Sequence, residues 1–351
     1  MPNKTLAHTK LSILDLTPYN ADRTIADALH ASRALAQLAE SLGYERFWVA
    51  EHHSIDGVAS AATAVVIGYI AEGTKKIRVG SGGIMLPNHA PIVVAEQFGT
   101  LESLYPNRID LGLGRAPGSD RMTMMAMRRG TELRGGEFDQ LIEELEFFFA
   151  KAEPGQKVKA IPGEGLNIPL YILGSSTYSA HLAAKLGRPY AFAGHFAPGA
   201  MTEAFDIYRR EFQPSKHLRK PYVMVGVPII AAETDREAER QATSLYQVFL
   251  NMVRGNPRLS HPPIDSMDGV WNPMEEAHVR NMLQLLIVGG PERIKQGLQS
   301  LIDLTGADEV ILSANFYDDK DRRKGFEIIA KAAGLKADGA IKNEMPERTL
   351  S

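Results

Sequence analysis

The sequence predicts an α/β fold, a (β/α)8 TIM barrel, and three observations point that way. Short apolar, β-rich runs alternate with longer helical patterns, as βα units on a parallel sheet require. Eight such runs are present; an open doubly wound sheet usually has fewer, with a glycine-rich turn after its first strand that "LSILDL" lacks. Several runs are apolar on both faces, as strands enclosed between helices and an inner core must be.

The elements follow in chain order. "LSILDL" (11–16) leads to a helix over 27–43, where Leu35, Leu38, Ala39 and Leu42 share one face and Gly43 stops the pattern. "FWVAE" (47–51) precedes a helix near 61–73, and "IRVGSGGIML" (77–86) one near 91–105. "IDLGLGR" (109–115) is followed by a helix near 136–150, "LYILGSS" (170–176) by 176–187, "YAFAG" (190–194) by 199–212 and "VMVGVPIIAA" (223–232) by 234–252. A helix over 291–306 opens on Pro291, repeats Ile294, Leu298, Leu301, Ile302 and Thr305 at helical spacing, and closes on Gly306. "EVILSA" (309–314) and a helix near 321–334 complete the set. Insertion segments near 116–134 and 254–280 break the period; such segments are lids, binding loops or variable surface loops. Residues 1–351 read as a single barrel domain with a polar tail over 336–351.

Composition narrows the function classes. Hydrophobic residues make up 44% and charged residues 23%, and the formal net charge is −3, so nothing favours nucleic acid or an anionic membrane as partner. The cysteine count is zero, which removes disulfides, thiolate nucleophiles and cysteine-based metal sites. The polar start "MPNKTLAHTK" has no apolar signal core, and no run approaches the ~20 apolar residues of a membrane span. A cytoplasmic location is the expectation.

In such a barrel the active site lies where strands end and βα loops begin. "LGSSTYSA" (173–180) sits there: Gly174 permits a tight approach, Ser175, Ser176 and Ser179 offer hydroxyls, and a helix begins. The stretch is either a phosphate cradle or a plain helix cap. Arg115, ending "IDLGLGR", needs a partner: a phosphate, or an acid such as Glu51 or Asp120. "GSGG" (80–83) in an apolar strand suggests a bulge, a flat ligand against the backbone, or a helix packed against a small-residue strand. "EHH" (51–53) admits metal, acid/base and structural readings. Adjacent strand residues point to opposite faces, and His89 and His195 lack a carboxylate at recognisable spacing, so no metal site is assigned. A histidine near neutrality suits proton transfer better.

These motifs together resemble the bacterial luciferase-like flavin monooxygenases, over nearly the whole chain. The resemblance rests on "LGYERFWVAEHH", "IRVGSGGIMLPNHAPIVVAEQFGTLESLYPNRIDLGLGRAPGS" and "IPLYILGSSTYSAHLAAKLGRPYAFAGHF", in that order. It looks closest to single-chain oxidoreductases of that family with undefined substrates.

The resemblance implies FMN in the barrel mouth and a cis peptide at Gly82–Gly83, with those two glycines beside the flavin. It implies phosphate contacts from Arg115, Gly174, Ser175, Ser176 and Ser179, and His52 as the catalytic acid/base. The family's reactive cysteine corresponds to Gly114, which would remove a steric element and admit a different substrate. Reduced FMN would come from a separate NAD(P)H:flavin reductase, and dioxygen would oxidise a small organic substrate through a flavin (hydro)peroxide. A deazaflavin-dependent hydride transferase of the same fold and a non-catalytic flavin-binding protein are the alternatives. A homodimer is expected through the helices after strands 2 and 3, which carry "AATAVVIGYIA" (61–71) and "APIVVAEQFGTL" (90–101); burial against the barrel explains those segments equally well.

Overall fold

A computed structural model describes residues 4–116, 121–127 and 138–336. Eight parallel strands close into a barrel: β1 (Lys10–Asp15), β2 (Arg46–Val49), β3 (Arg78–Met85), β4 (Ile109–Gly114), β5 (Leu170–Gly174), β6 (Tyr190–Ala193), β7 (Val223–Ala231) and β9 (Glu309–Ser313). Pairing runs in that order, and β9 returns to β1. Each expected strand is present within a residue or two of its sequence bounds. The addition is β8 (Ile287–Gly289), a short strand on the outer half of β7 that the sequence reading did not include.

Helices α1 (Ile25–Leu42), α2 (Thr63–Gly73), α3 (Pro91–Leu104), α5 (Phe138–Phe149), α6 (Thr177–Leu186), α7 (Met201–Glu211), α8 (Asp235–Val253), α10 (Pro291–Thr305) and α11 (Asp319–Ala333) match the expected set. Two more lie in the insertions. One is α4 (Arg121–Met127), flanked by 117–120 and 128–137 outside the described residues. The other is α9 (Pro273–Met282), started by a capping box in which Asn272 accepts from the Glu275 N–H while Glu275 reaches back.

Two apolar layers hold the fold. Outward-facing Ile13, Phe47, Val49, Val79, Leu111 and Ile172 pack under the helices, and α1 ends on Gly43 at φ 87°, where a Cβ would meet the Lys336 carbonyl. Inward-facing Leu14, Trp48, Tyr171, Ala191, Met224 and Ile311 fill the barrel. Below them, near the strands' amino ends, lies a buried ionic network. Arg46 donates to Glu309 at 2.6 and 3.0 Å, to Asp110 at 2.6 Å and to the Tyr171 hydroxyl at 2.9 Å. Arg78 also grips Asp110, and the Tyr222 hydroxyl donates to Glu309. Charges this deep persist only when fully paired, so this end is a plug and the opposite end is the mouth.

The glycines of β3 have structural neighbours. A Cβ at Gly80 would meet the Asp110 carbonyl at 2.3 Å, and one at Gly83 the Gly112 carbonyl at 2.7 Å. One at Gly82 would meet Leu14 at 2.6 Å. Close strand packing therefore accounts for much of the glycine density. The β3–β4 register shifts between Ser81 and Ile84, a bulge that contains the cis Gly82–Gly83 peptide.

Candidate active site

The carboxyl ends of all eight barrel strands line one cavity of about 430 Å³, within the ~300–1,000 Å³ usual for small-molecule sites. His52, Gly82, Gly83, Arg115, Gly174, Ser175, Ser176 and Ser179 all lie on its wall. The barrel thus brings these eight sequence-selected positions to one place.

The β5–α6 turn is built to leave donors open. Ser176 occupies the N-cap position of α6 with extended backbone, and its side chain makes no capping hydrogen bond. The plain-cap reading of that serine does not hold, and α6 begins on the cavity wall, at the helix end that carries unpaired N–H groups and the positive end of the dipole. Ser179 differs from expectation. Its hydroxyl donates to the Ser176 carbonyl at 2.8 Å and shares a 3.1 Å hydrogen bond with the buried Tyr190 hydroxyl, so it braces the turn from behind. Gly174 is required for that brace, because a Cβ there would lie 2.2 Å from the Ser179 Oγ.

Arg115 leaves the end of β4 next to this turn. Its guanidinium carbon sits 4.1 Å from the centre of the Tyr178 ring, a cation–π contact, and its side chain is exposed. Among the described residues no acid pairs with it. Glu51, one suggested partner, is engaged elsewhere, and Asp120 lies outside the described residues.

Glu51 is buried behind the mouth and organises the β2 and β3 loops. One oxygen accepts from the Nε2 of His53 at 2.7 Å and of His89 at 2.8 Å; the other accepts from the Met85 N–H at 3.0 Å. Burial opposes its ionisation, but these hydrogen bonds outweigh burial and hold the carboxyl below its usual range. His89 therefore has the carboxylate partner that sequence spacing did not reveal. The ligand-type atoms of the three residues lie within 4.8 Å of one another. Both Nε2 atoms donate to the ionised carboxylate in this arrangement, so a cation would have to displace those protons. His52, between Glu51 and His53 in sequence, faces the cavity.

Two features escaped the sequence reading. The first is the placement of His195, which follows β6 and lines the same cavity as His52. The second is Met85. A Cβ at Gly114 would lie 2.9 Å from the Met85 Cε, so the Met85 thioether fills the space a side chain at 114 would take, and no room is gained there.

The family model described as luciferase-like monooxygenase matches residues 9–309. The chain belongs to the luciferase-like monooxygenase family. It is 52% identical over 331 residues to the uncharacterized protein YvbT of Bacillus subtilis (strain 168), covering 94% of this chain and 98% of that one. It is 48% identical over 328 residues to a luciferase-like monooxygenase of Escherichia coli (strain K12), covering 93% and 97%. The crystal structure of apo-MsnO8 superposes with a TM-score of 0.82 at 34% identity, covering 94% of this chain and 99% of that one. More distant structures share the fold alone. They include the oxygenating constituent of 3,6-diketocamphane monooxygenase from Pseudomonas putida in complex with FMN (TM-score 0.69, 18% identity) and an F420-dependent secondary alcohol dehydrogenase (TM-score 0.66, 16% identity). Among the described residues no helix is long and apolar enough to cross a membrane.

Proposed function

We propose that this family member is an FMN-dependent monooxygenase acting on a small organic substrate. One observation carries the reading: the uncapped N-terminus of α6 and the guanidinium of Arg115, which no acid pairs among the described residues, open side by side into the cavity that holds His52. A terminal phosphate fits such a pair, because helix N–H groups and a guanidinium fork both select oxyanions. Gly174, Ser175 and Ser176 supply the turn, and Ser179 keeps it in shape. Gly82 and Gly83 offer a wall free of side chains on the same cavity.

Reduced FMN, delivered by a separate NAD(P)H:flavin reductase, would bring the electron pair that activates dioxygen. The chain's own residues do the rest. Leu14, Trp48, Leu173 and Ile311 keep the floor apolar and exclude water. His52 holds or moves a proton at its imidazole, and Glu51 with His53 and His89 fixes the loop that carries it. The outer faces of α2 and α3 expose Val65, Val93 and Leu104, and we assign them to a homodimer interface.

Equilibrium titration of the purified chain with FMN and with the deazaflavin F420 tests the proposal. Preference for FMN, together with oxygen consumption that His52→Ala reduces, is the expected result. Preference for F420, or no binding of FMN, overturns it.

A further inference from the structure

His195 has a defined orientation that the flavin reading does not use. Its Nδ1 is buried with no hydrogen-bond partner and lies against the Gly226 backbone, where an added Cβ would come within 3.5 Å of it. The contact falls short of a full hydrogen bond, but the Gly226 backbone still favours the protonated ring. A backbone group that favours the protonated ring is an acceptor, so hydrogen on Nδ1 suits it and leaves the Nε2 lone pair for the cavity that His195 lines. Phe196 packs on the ring at 4.2 Å between centroids. Burial, with His52 adding to it, lowers the pKa to about 4, so the imidazole is neutral at physiological pH.

The surroundings define what this lone pair meets. In the closed ring of strands, β4 and β5, which carry the phosphate-type end, stand opposite β9 and β1. Away from the phosphate-type end the cavity is lined by Leu16 and Val58, which follow β1 and β2, by Leu245, Phe249 and Met252 of α8, the helix that packs on β7 and β8, and by Leu283. His52, after β2, and His195, after β6, stand between the two halves. No Asp or Glu lines the cavity among the described residues. Arg322, at the edge of the apolar half, is already paired with Asp15 at 2.5 Å and with the Ala314 carbonyl.

We propose that His195 is a substrate-contacting residue whose Nε2 accepts a hydrogen bond from the hydroxyl of an uncharged substrate, the apolar remainder of which fills the half lined by α8. The proposal deepens the monooxygenase reading and rests on it for the assignment of the other half to FMN. It excludes cationic substrates, which would find two imidazoles and an arginine but, among the described residues, no acid.

The test uses 1-octanol and its methyl ether, probes that differ in one donor, titrated calorimetrically into the chain with and without saturating FMN. Octanol is expected to bind about fivefold more tightly than the ether, the effect of one net hydrogen bond. His195→Phe removes that preference, whereas His195→Asn, which keeps an acceptor, retains part of it. Equal binding of the two probes to the wild type overturns the proposal, as does failure of both to bind or persistence of the preference in His195→Phe. The wild-type comparison decides even if a variant fails to fold. FMN affinity measured in the same titrations separates the two readings. FMN binding without an octanol preference sinks only the His195 role, and an octanol preference without FMN binding sinks only the flavin assignment.

Discussion

Replacing Arg115 with alanine separates phosphate recognition from every other role the side chain could have. The guanidinium is exposed and rests on the Tyr178 ring beside the uncapped start of α6. A hydrogen bond to a charged group is worth about 1.5–3 kcal/mol, and solvent exposure places this one at the lower end. A loss of about 1.5–2 kcal/mol corresponds to about 10- to 30-fold in the Kd for FMN. Riboflavin, which lacks the phosphate, is the internal control. Its affinity is expected to change less than about twofold, because loss of the exposed cation–π contact affects both ligands alike. Arg115→Lys keeps the charge without the fork and should fall between. Flavin fluorescence quenching at low and high salt supplies the assay, and the wild-type preference for FMN over riboflavin should shrink with salt. Equal losses for FMN and riboflavin, or none for FMN, would refute the assignment of Arg115 to the phosphate.

Four other perturbations have defined outcomes. Glu51→Gln places an amide where three donors converge, so at least one N–H faces an NH2 group; unfolding by urea should show a loss of about 1–3 kcal/mol. Arg46→Met leaves Glu309 and Asp110 buried beside fewer cations, and the same assay should show a loss of about 3–5 kcal/mol with little change in FMN affinity. His195 is lowered from 6.5 to about 4 in the fold. Its contribution to stability is therefore complete above pH 6.5 and is lost as pH falls towards 4, because the unfolded chain takes up a proton that the folded chain refuses. Wild type should lose about 3 kcal/mol more than His195→Gln across that window. Val65→Glu puts a charge on the exposed face of α2 and should shift sedimentation from dimer to monomer; an unchanged profile removes α2 from the interface.

The sequence exposed the barrel because its strands are covered on both sides. "VMVGVPIIAA" reads as continuously apolar, and all nine residues of β7 are buried. The β8 strand, three residues long and running into α10, was too short to register. The helix α9 was legible in principle, since Asn272, Pro273 and Glu275 form a cap-box signature inside a segment read as an insertion loop. The site showed unevenly for a different reason. Glycines, serines and an arginine at strand ends mark the rim by position alone, and all of them reach the cavity. Partnerships across the barrel do not show in a linear pattern: Glu51 meets His89 38 positions away, and Arg46 meets Glu309 across 263. His195 was seen only as a histidine without a carboxylate, yet its relevant neighbour is the backbone of Gly226 on the next strand.

In the proposed arrangement one cavity holds FMN by its phosphate at the α6 turn and leaves the α8 side for substrate. A crystal structure of the chain soaked with FMN tests it most directly. Phosphate oxygens are expected on Arg115 and on the backbone N–H groups that follow Ser176, with the flavin along Gly82 and Gly83 and the space beside Leu245, Phe249 and Met252 still open. A phosphate bound at the β7–β9 side, or a flavin filling the α8 side, would contradict it.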